Sequence, residues 1–146
     1  MQIIRATVKD IKNIAPLFDK YRVFYGKESD LESAVYFLGD RVSRDESVLF
    51  AALNDDGIYC GFTQFYPIFS STRMNRLRLL NDLYVLPAHR SQGISILLID
   101  AAKLLAKETK SEGLILETAK DNLIGNQLYP KVGFELDEDH NYYSWQ

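Results

Sequence analysis

Between residues 86 and 98 the chain reads "LPAHRSQGISILL". An apolar-periodic helix begins here, and its entry carries Arg90, Ser91, Gln92, Gly93, Ile94 and Ser95, with more donors than a single cap requires. The first turn of a helix exposes unpaired backbone N–H groups at the positive end of the macrodipole, so an anion placed there collects several hydrogen bonds. Gly93 removes a Cβ from the approach and accepts dihedrals that other residues resist. Arg90 adds a fixed positive charge, while Ser91, Gln92 and Ser95 add polar side chains or slim backbone. The chemistry expected of this entry is retention of a phosphate or pyrophosphate. On these residues alone, a plain helix entry with a solvated arginine stays open as the alternative.

Two carboxylates stand where carboxylates need a reason. Asp82 in "RLRLLNDLYV" and Glu117 in "GLILETA" each lie among apolar residues, and an isolated buried charge is costly. They are candidates for a base acting through water or an anchor for a cationic amine; a paired structural carboxylate, or one facing outward at a strand end, is the competing reading. Cys60 has Tyr and Gly as neighbours and no His near it in sequence, so a buried, inert thiol is its default.

These residues must be held by a scaffold, and the periodicities outline one. Residues 3–6 read as a short strand, and Thr7 with Asp10 as a capping-box variant. Ile11, Ile14, Ala15 and Phe18 follow helical spacing up to Gly26. "SDLE" predicts a second helix with Ser29 as cap and Glu32 as its reciprocal partner. "SVLFAAL", "NDDG" and "IYCGFTQFYPIF" predict a hairpin, and "RLRLLNDLYV" a further strand ending before Pro87. Residues 93–110 predict a long helix with Ile94, Leu97, Leu98, Ala101, Leu104 and Leu105 on one face. "GLILETA" reads as a strand buried on both faces. A helix over about 122–132 and two final strands, "FELDE" and "NYYSWQ", complete the chain. The expected architecture is α/β: one domain over residues 1–146, with a mixed, mostly antiparallel central sheet between helices on both faces. The 76–119 segment is its parallel crossover.

Composition narrows the classes. A chain of 146 residues with 47% hydrophobic content can bury one core without disulfides. One cysteine excludes an internal disulfide and fits a cytoplasmic setting. With one Cys and two His, no Cys/His metal cluster is available, and no metal is expected. The net charge of −3 argues against a nucleic-acid surface. No apolar run reaches the roughly 20 residues of a membrane span, so no membrane partner is expected.

"NDLYVLPAHRSQGISILLIDAA" resembles the acetyl-CoA signature of the GNAT superfamily of N-acetyltransferases: Arg or Gln, two variable residues, Gly, one variable residue, then Gly or Ala. Here it reads Arg90, Ser91, Gln92, Gly93, Ile94, Ser95, with Ser95 departing from the usual last residue. "LETAKDNLIGNQLYPKVGF" is similar to the family's next motif, and the element order extends the likeness over nearly the whole chain. The resemblance implies a GNAT-like fold and acetyl-CoA as acyl-donor cosubstrate. It implies backbone pairing of Leu83, Tyr84 and Val85 with the pantetheine arm, pyrophosphate held by N–H groups from Ser91 to Ser95, a cofactor contact at Asn122, and Tyr129 as general acid toward the departing thiolate.

The implied reaction sets further demands. An amine with a pKa of about 10.4 is neutral in fewer than about one molecule per thousand at pH 7, so the site must take up its proton. It must also stabilise an oxyanion and protonate the thiolate. Tyr129, with an ordinary pKa of about 10, stays protonated near neutrality and can donate. The family often closes the connection between its first two helices over the acceptor. Phe24 and Tyr25 of "YRVFYGKESD" would then form an aromatic wall that attracts a cation, with Tyr66 contributing from the facing strand; ordinary helix-end packing is the alternative. Polyamine acetyltransferases usually carry Glu immediately before the Asp, and here that position is Asn81, which speaks against a polyamine. The expected activity is acetyl transfer to a primary amine of a small molecule by direct attack in a ternary complex. A protein lysine or N-terminal acceptor, or a non-catalytic acyl-CoA-binding module, is the alternative. Members of the family often dimerise through C-terminal strands, so the resemblance implies a homodimer supported by Tyr142, Tyr143 and Trp145 of "NYYSWQ"; covering the core is the alternative for these aromatics.

Overall fold

The protein was analysed as a computed structural model that describes all residues 1–146. Its backbone divides into two compact units, Met1–Leu116 and Glu117–Gln146.

The first unit is built on five strands in sequential order: β1 (Gln2–Arg5), β2 (Val48–Leu53), β3 (Tyr59–Ser70), β4 (Asn75–Val85) and β5 (Leu114–Ile115). The first four pair antiparallel, and β4 with β5 is parallel. Helices α1 (Ile11–Phe24) and α2 (Leu31–Ser43) precede β2, and α3 (Ile94–Glu108) forms the crossover from β4 to β5. Local chemistry explains the junctions. Thr7 and Asp10 make the reciprocal capping pair, here on a 3-10 turn over Val8–Asp10 that runs into α1. Asn54 Oδ1 accepts the N–H groups of Asp56 and Ile58, at 3.0 and 2.9 Å, and Gly57 turns the hairpin at φ +77°. The cap of α2 is Asp30, which accepts Ser33 N–H at 3.1 Å. Ser29, expected there, instead donates to Asp19.

Two apolar layers flank the sheet. Ile14, Ala15 and Phe18 of α1 and Leu38 of α2 pack with Leu49, Ala51, Phe62 and Tyr84. On the other layer Ile94 and Leu98 of α3 pack with Ala52, Cys60 and Val85. Burying a side chain such as Leu98 completely contributes roughly 1.5–3 kcal/mol. The buried stripe of α3 is Ile94, Leu98, Ile99, Ala102, Leu105 and Ala106, while Leu97 and Leu104 are exposed. The helix is therefore rotated from the face expected through 97, 101 and 104. Gly61 sets how closely α3 can approach: a Cβ there would lie 3.0 Å from Tyr84 O and 3.3 Å from Ile94 Cγ2.

The second unit contains one helix, α4 (Leu123–Lys131). Asn122 caps it, accepting Gly125 N–H at 3.1 Å and donating to Thr118 Oγ1 at 2.9 Å. A Cβ on Gly125 would come within 2.6 Å of that same Asn122 amide, so the cap needs glycine three residues on. The two strands expected after Gly133 are not formed, and "GLILETA" pairs only at Leu114 and Ile115, both half-buried. A strand needs a neighbour for its backbone groups, and residues 134–146 pair with none within this chain.

Candidate active site

The helix entry has the geometry of an anion seat. Gly93 is the N-cap of α3 at φ +77°, ψ 7°, and no side chain caps it. Left-handed Gly93 followed directly by helical Ile94 is the alternation that turns successive N–H groups toward one point. Ser91 is also left-handed, at φ +61°, a conformation that costs a non-glycine residue of order 1 kcal/mol and tends to persist where the surroundings impose it. A Cβ built on Gly93 meets nothing within 4 Å. The glycine is thus required by its backbone conformation, and the space beside it is open. No acidic residue lies in the first turn of α3 to compete with an anion.

Arg90 lies beside this entry and is tied to the end of β4. Its Nε donates to Val85 O at 3.0 Å, and its guanidinium lies over the rings of Tyr84 and Phe24, at 5.7 and 5.9 Å. Phe24 is 63% exposed and stacks edge-on with Tyr25, which meets Tyr21 in the same way. Phe24 and Tyr25 thus lie ring to ring at the α1 end, and the cation over Phe24 is the protein's own Arg90.

The free edge of β4 comes from a change of register. From Ser70↔Asn75 to Phe65↔Leu80 the β3–β4 register is constant, then it jumps to Gln64↔Asp82, leaving Asn81 as the extra residue of a bulge. The β4–β5 ladder stops at Leu79↔Ile115, just before the bulge. Beyond it no strand pairs with β4 on the side away from β3. Leu86 N–H donates to Cys60 O at 2.9 Å. The alternation of an antiparallel ladder then turns the amide and carbonyl of Leu83 and Val85 away from β3 and those of Tyr84 toward it.

Asp82 follows the bulge and is 2% exposed. Its Oδ2 accepts Gln64 Nε2 at 2.6 Å, its Oδ1 accepts Asn81 Nδ2 at 2.9 Å, and the Tyr21 hydroxyl also bonds the carboxyl. Burial pushes its pKa above the ordinary carboxylate range against the pull of these hydrogen bonds. Gln64 Nε2 reaches Tyr66 Oη as well, at 3.1 Å. The Tyr66 hydroxyl is pushed up to about 12, first by burial and then by the Asp82 charge. The single Tyr21 O–H is shared between the Asp82 carboxyl and Asn81 O, at 3.3 Å from the latter, fastening α1 to the bulge.

The site residues expected from the sequence therefore fall into groups. Leu83, Tyr84, Val85, Arg90, Ser91, Gln92, Gly93, Ile94 and Ser95 form one continuous turn from strand edge to helix entry, and Phe24 joins it through Arg90. Asp82 and Tyr66 are joined through Gln64. Glu117 is exposed and lies outside β5, so the expectation of a second carboxylate on the neighbouring strand is corrected: the strand ends after two residues, and nothing buries the side chain. Within the second unit, Tyr129 is half-buried and meets Phe134 edge-on at 5.8 Å, and Phe134 N–H donates to Tyr129 O at 3.0 Å. Asn122 commits its side chain to capping α4. Cys60 is buried, donates to Ala52 O at 3.2 Å, and has its thiol pKa raised by burial, which suits a structural thiol.

Gln64, Tyr21 and Gly61 were not singled out from the sequence. The available signal was "FTQFY": Thr63 and Gln64 interrupt an apolar strand, and buried polar side chains need partners. No cluster of three or more His, Cys, Asp or Glu that could hold a metal ion is present, and no helix is long and apolar enough to cross a membrane.

Helix entry, bulged strand and element order together define an α/β protein with an open anion seat beside a free strand edge, and comparison with known proteins gives the family. Residues 45–136 match the model of the acetyltransferase (GNAT) domain, a match that runs across both units. The chain is 41% identical over 143 residues to the uncharacterized N-acetyltransferase YhfO of Bacillus subtilis, covering 98% of this chain and 95% of that protein. It is 32% identical over 75 residues to the aminoglycoside N(6')-acetyltransferase type 1 of Acinetobacter haemolyticus, covering 51% and 52%. A crystal structure of a probable acetyltransferase superposes with a TM-score of 0.95 at 39% identity, over 100% of this chain and 97% of that one. The protein belongs to the GNAT family and is an N-acetyltransferase.

Proposed function

We propose that this N-acetyltransferase moves the acetyl group of acetyl-CoA to a primary amine of a small molecule by direct attack in a ternary complex. The observation that carries the reading is the uncapped, left-handed Gly93 entry of α3, which opens directly from the unpaired edge of β4. That pairing suits a ligand with a diphosphate at one end and an amide-bearing arm along the strand. The N–H groups from Ser91 to Ser95 would hold the diphosphate, and the outward amides and carbonyls of Leu83 and Val85 would hold the arm. Acetyl-CoA, when bound, supplies an activated thioester carbonyl.

The remaining chemistry falls to the chain's own side chains. Asp82 is too buried to touch an acceptor, so it serves as a proton sink reached through water, with the half-buried Tyr21 and Tyr66 between it and solvent. Tyr129 keeps the role of acid toward the thiolate, on the resemblance of its motif. Phe24, Tyr25 and Tyr66 offer ring faces and a hydroxyl to a cationic acceptor. The partial likeness to an aminoglycoside acetyltransferase favours a small polar amine. A second copy of the chain is proposed to cover the C-terminal arm, where Tyr142, Tyr143 and Trp145 are 82, 90 and 96% exposed; a monomer by light scattering would remove that assembly. The buried free thiol of Cys60 suits a reducing, cytoplasmic setting.

The test is thiol release from acetyl-CoA across a panel of small amines, lysine peptides and free peptide N-termini. Release with small amines is expected. Release with peptides alone would move the acceptor class, tight CoA binding without release from any amine would make the chain a binding module, and no CoA binding would remove the reading. Tyr129→Phe should lower turnover about a hundredfold or more, the lower range for a positioned acid, with CoA affinity retained; unchanged turnover would take Tyr129 out of the acid role.

A further inference from the structure

The Asp82 cluster contains one atom that its neighbours leave unused. Gln64 is 0% exposed, and its Oε1 has no hydrogen-bond partner, although its Nε2 serves two acceptors, Asp82 Oδ2 and Tyr66 Oη. A buried acceptor without a donor has given up its hydration for nothing in return. Turning the amide over would place Oε1 where Nε2 now lies, facing the carboxylate oxygen at 2.6 Å. Against an ionised carboxylate that exchange sets two acceptors against each other. Against a protonated one it makes a good bond, because the carboxylic acid O–H becomes the donor. Each orientation leaves one end of the amide without a partner, Oε1 as seen here and Nε2 once turned, so the protonation of Asp82 decides between them.

We propose that the Gln64 amide is a two-position switch that reads the protonation of Asp82, donating to the carboxylate as seen here and turning over to accept from the carboxylic acid. In the turned position Oε1 accepts from Asp82 and from the Tyr66 hydroxyl, which changes from acceptor to donor. Asp82 takes up one proton from water, and no other covalent bond forms or breaks. Tyr66 is half-buried, so the switch reaches the accessible side of the cluster: its hydroxyl presents a proton outward while Asp82 is ionised and a lone pair outward once Asp82 is protonated. Gln64 is a positioning residue, since it acts through Asp82 and Tyr66.

The surrounding groups leave the decision to this pair. Tyr21 faces the carboxyl from α1, Tyr66 faces it from β3, and the Arg41 charge of α2 bears on Tyr66. Asp19 and Arg22 of α1 lie 3.8 Å from each other, and Asp19 is further engaged by Ser29 and Asp30 N–H. Burial favours the neutral acid and the hydrogen bonds favour the anion, the balance a switch needs.

The inference rests on the geometry of the cluster and uses the proposed acetyl transfer only for its purpose, so its main test needs no acceptor. In the full-length protein, the side-chain amide resonances of Gln64 and the Asp82 carboxyl carbon are followed by NMR against pH. Both should move with one midpoint, above that of an ordinary aspartate, and Asp82→Asn should abolish the Gln64 transition. A Gln64 side chain that stays unmoved while Asp82 titrates overturns the switch. So does an Asp82 that titrates like an exposed aspartate. Gln64→Met keeps the volume and removes the donor. The Asp82 midpoint should then rise by about one pH unit or more, the equivalent of one hydrogen bond to a charged group, and the acid limb of any amine-dependent thiol release should rise with it. Gln64→Glu is the second variant: it keeps shape and polarity and should split the titration into two coupled steps. An unmoved midpoint in both variants overturns the proposal, whatever the protein acetylates.

Discussion

The α3 entry and the Asp82 cluster both hang on β4, and they leave opposite things unfinished. At the entry the backbone presents donors: a left-handed glycine, no cap and open space. In the cluster nearly every polar atom is spent, the carboxyl taking bonds from Gln64, Asn81 and Tyr21 at 2% exposure, with one amide oxygen left over. One region is built from main-chain conformation and depends on the one residue, Gly93, that permits it. The other is built from side chains locked in a single register and depends on each of them. The bulge at Asn81 makes both: it ends the β4–β5 pairing that would close the strand edge, and it brings Asp82 opposite Gln64.

The largest effects should come from the two glycines that separate these designs. Gly93→Val puts a branched side chain at φ +77°, a conformation costing about 1–2 kcal/mol for an ordinary residue and more for a branched one, and it crowds the open side of the entry. CoA affinity by calorimetry should fall about tenfold or more, since about 1.4 kcal/mol is a factor of ten. Unaltered affinity would break the phosphate assignment. Gly61→Ala is the contrasting change. Its Cβ would meet backbone at 3.0 Å, so the loss should appear as stability, about 1–3 kcal/mol for overpacking, read as a lower denaturation midpoint with CoA still bound by the folded protein.

The difference between the regions also explains what could be read from the residues. The helix entry is a local feature: Arg90 to Ser95 carry their meaning in order, and Gly93 announces an unusual dihedral. The crossover helix was legible for the same reason, though its burial stripe shifted because Leu97 and Leu104 flank the true face. The Asp82 cluster is non-local. Asp82 drew notice as a carboxylate among apolar residues, but its partner Gln64 lies 18 positions away, and only the register places them together. A one-residue bulge leaves no composition signal that would announce Asn81. The same limit accounts for Glu117 and the last two strands: alternation and apolar runs indicate that a segment can be a strand, while pairing decides whether it is one.

Asp82→Asn tests the buried side of the comparison through pH. The folded protein holds Asp82 above its ordinary pKa, so the neutral acid is the form that folding favours. The stability linked to this group is fully present below the unfolded pKa, about 4, and is lost as pH rises through the folded value. The variant, which cannot ionise, escapes that loss. The difference in urea midpoint between variant and wild type should therefore move in the variant's favour as pH rises above about 4 and level off once Asp82 is fully ionised. A difference independent of pH would mean that Asp82 ionises at no cost and that burial is not what raises it.

Arg90→Ala should have the smallest effect and bears on the junction between the two regions. Arg90 is an exposed residue, so its contacts with Tyr84 and Phe24 contribute about 0.5–1 kcal/mol each, and the stability change should be slight. Its influence on CoA binding runs in two directions. The charge draws a diphosphate toward the entry, while its Nε occupies Val85 O, an acceptor on the strand edge that the pantetheine arm would use. Losing the side chain weakens the first and frees the second, so the affinity should change only a few-fold near 0.1 M salt, where the Debye length is about 10 Å. What should change clearly is the salt dependence, which flattens when the positive charge beside the entry is gone. Arg90→Lys, which keeps a charge and gives up the planar stacking, should restore the salt dependence. If alanine and lysine variants respond to salt alike, Arg90 works only as a brace between Phe24 and Val85, and the attraction at the entry belongs wholly to the backbone of α3.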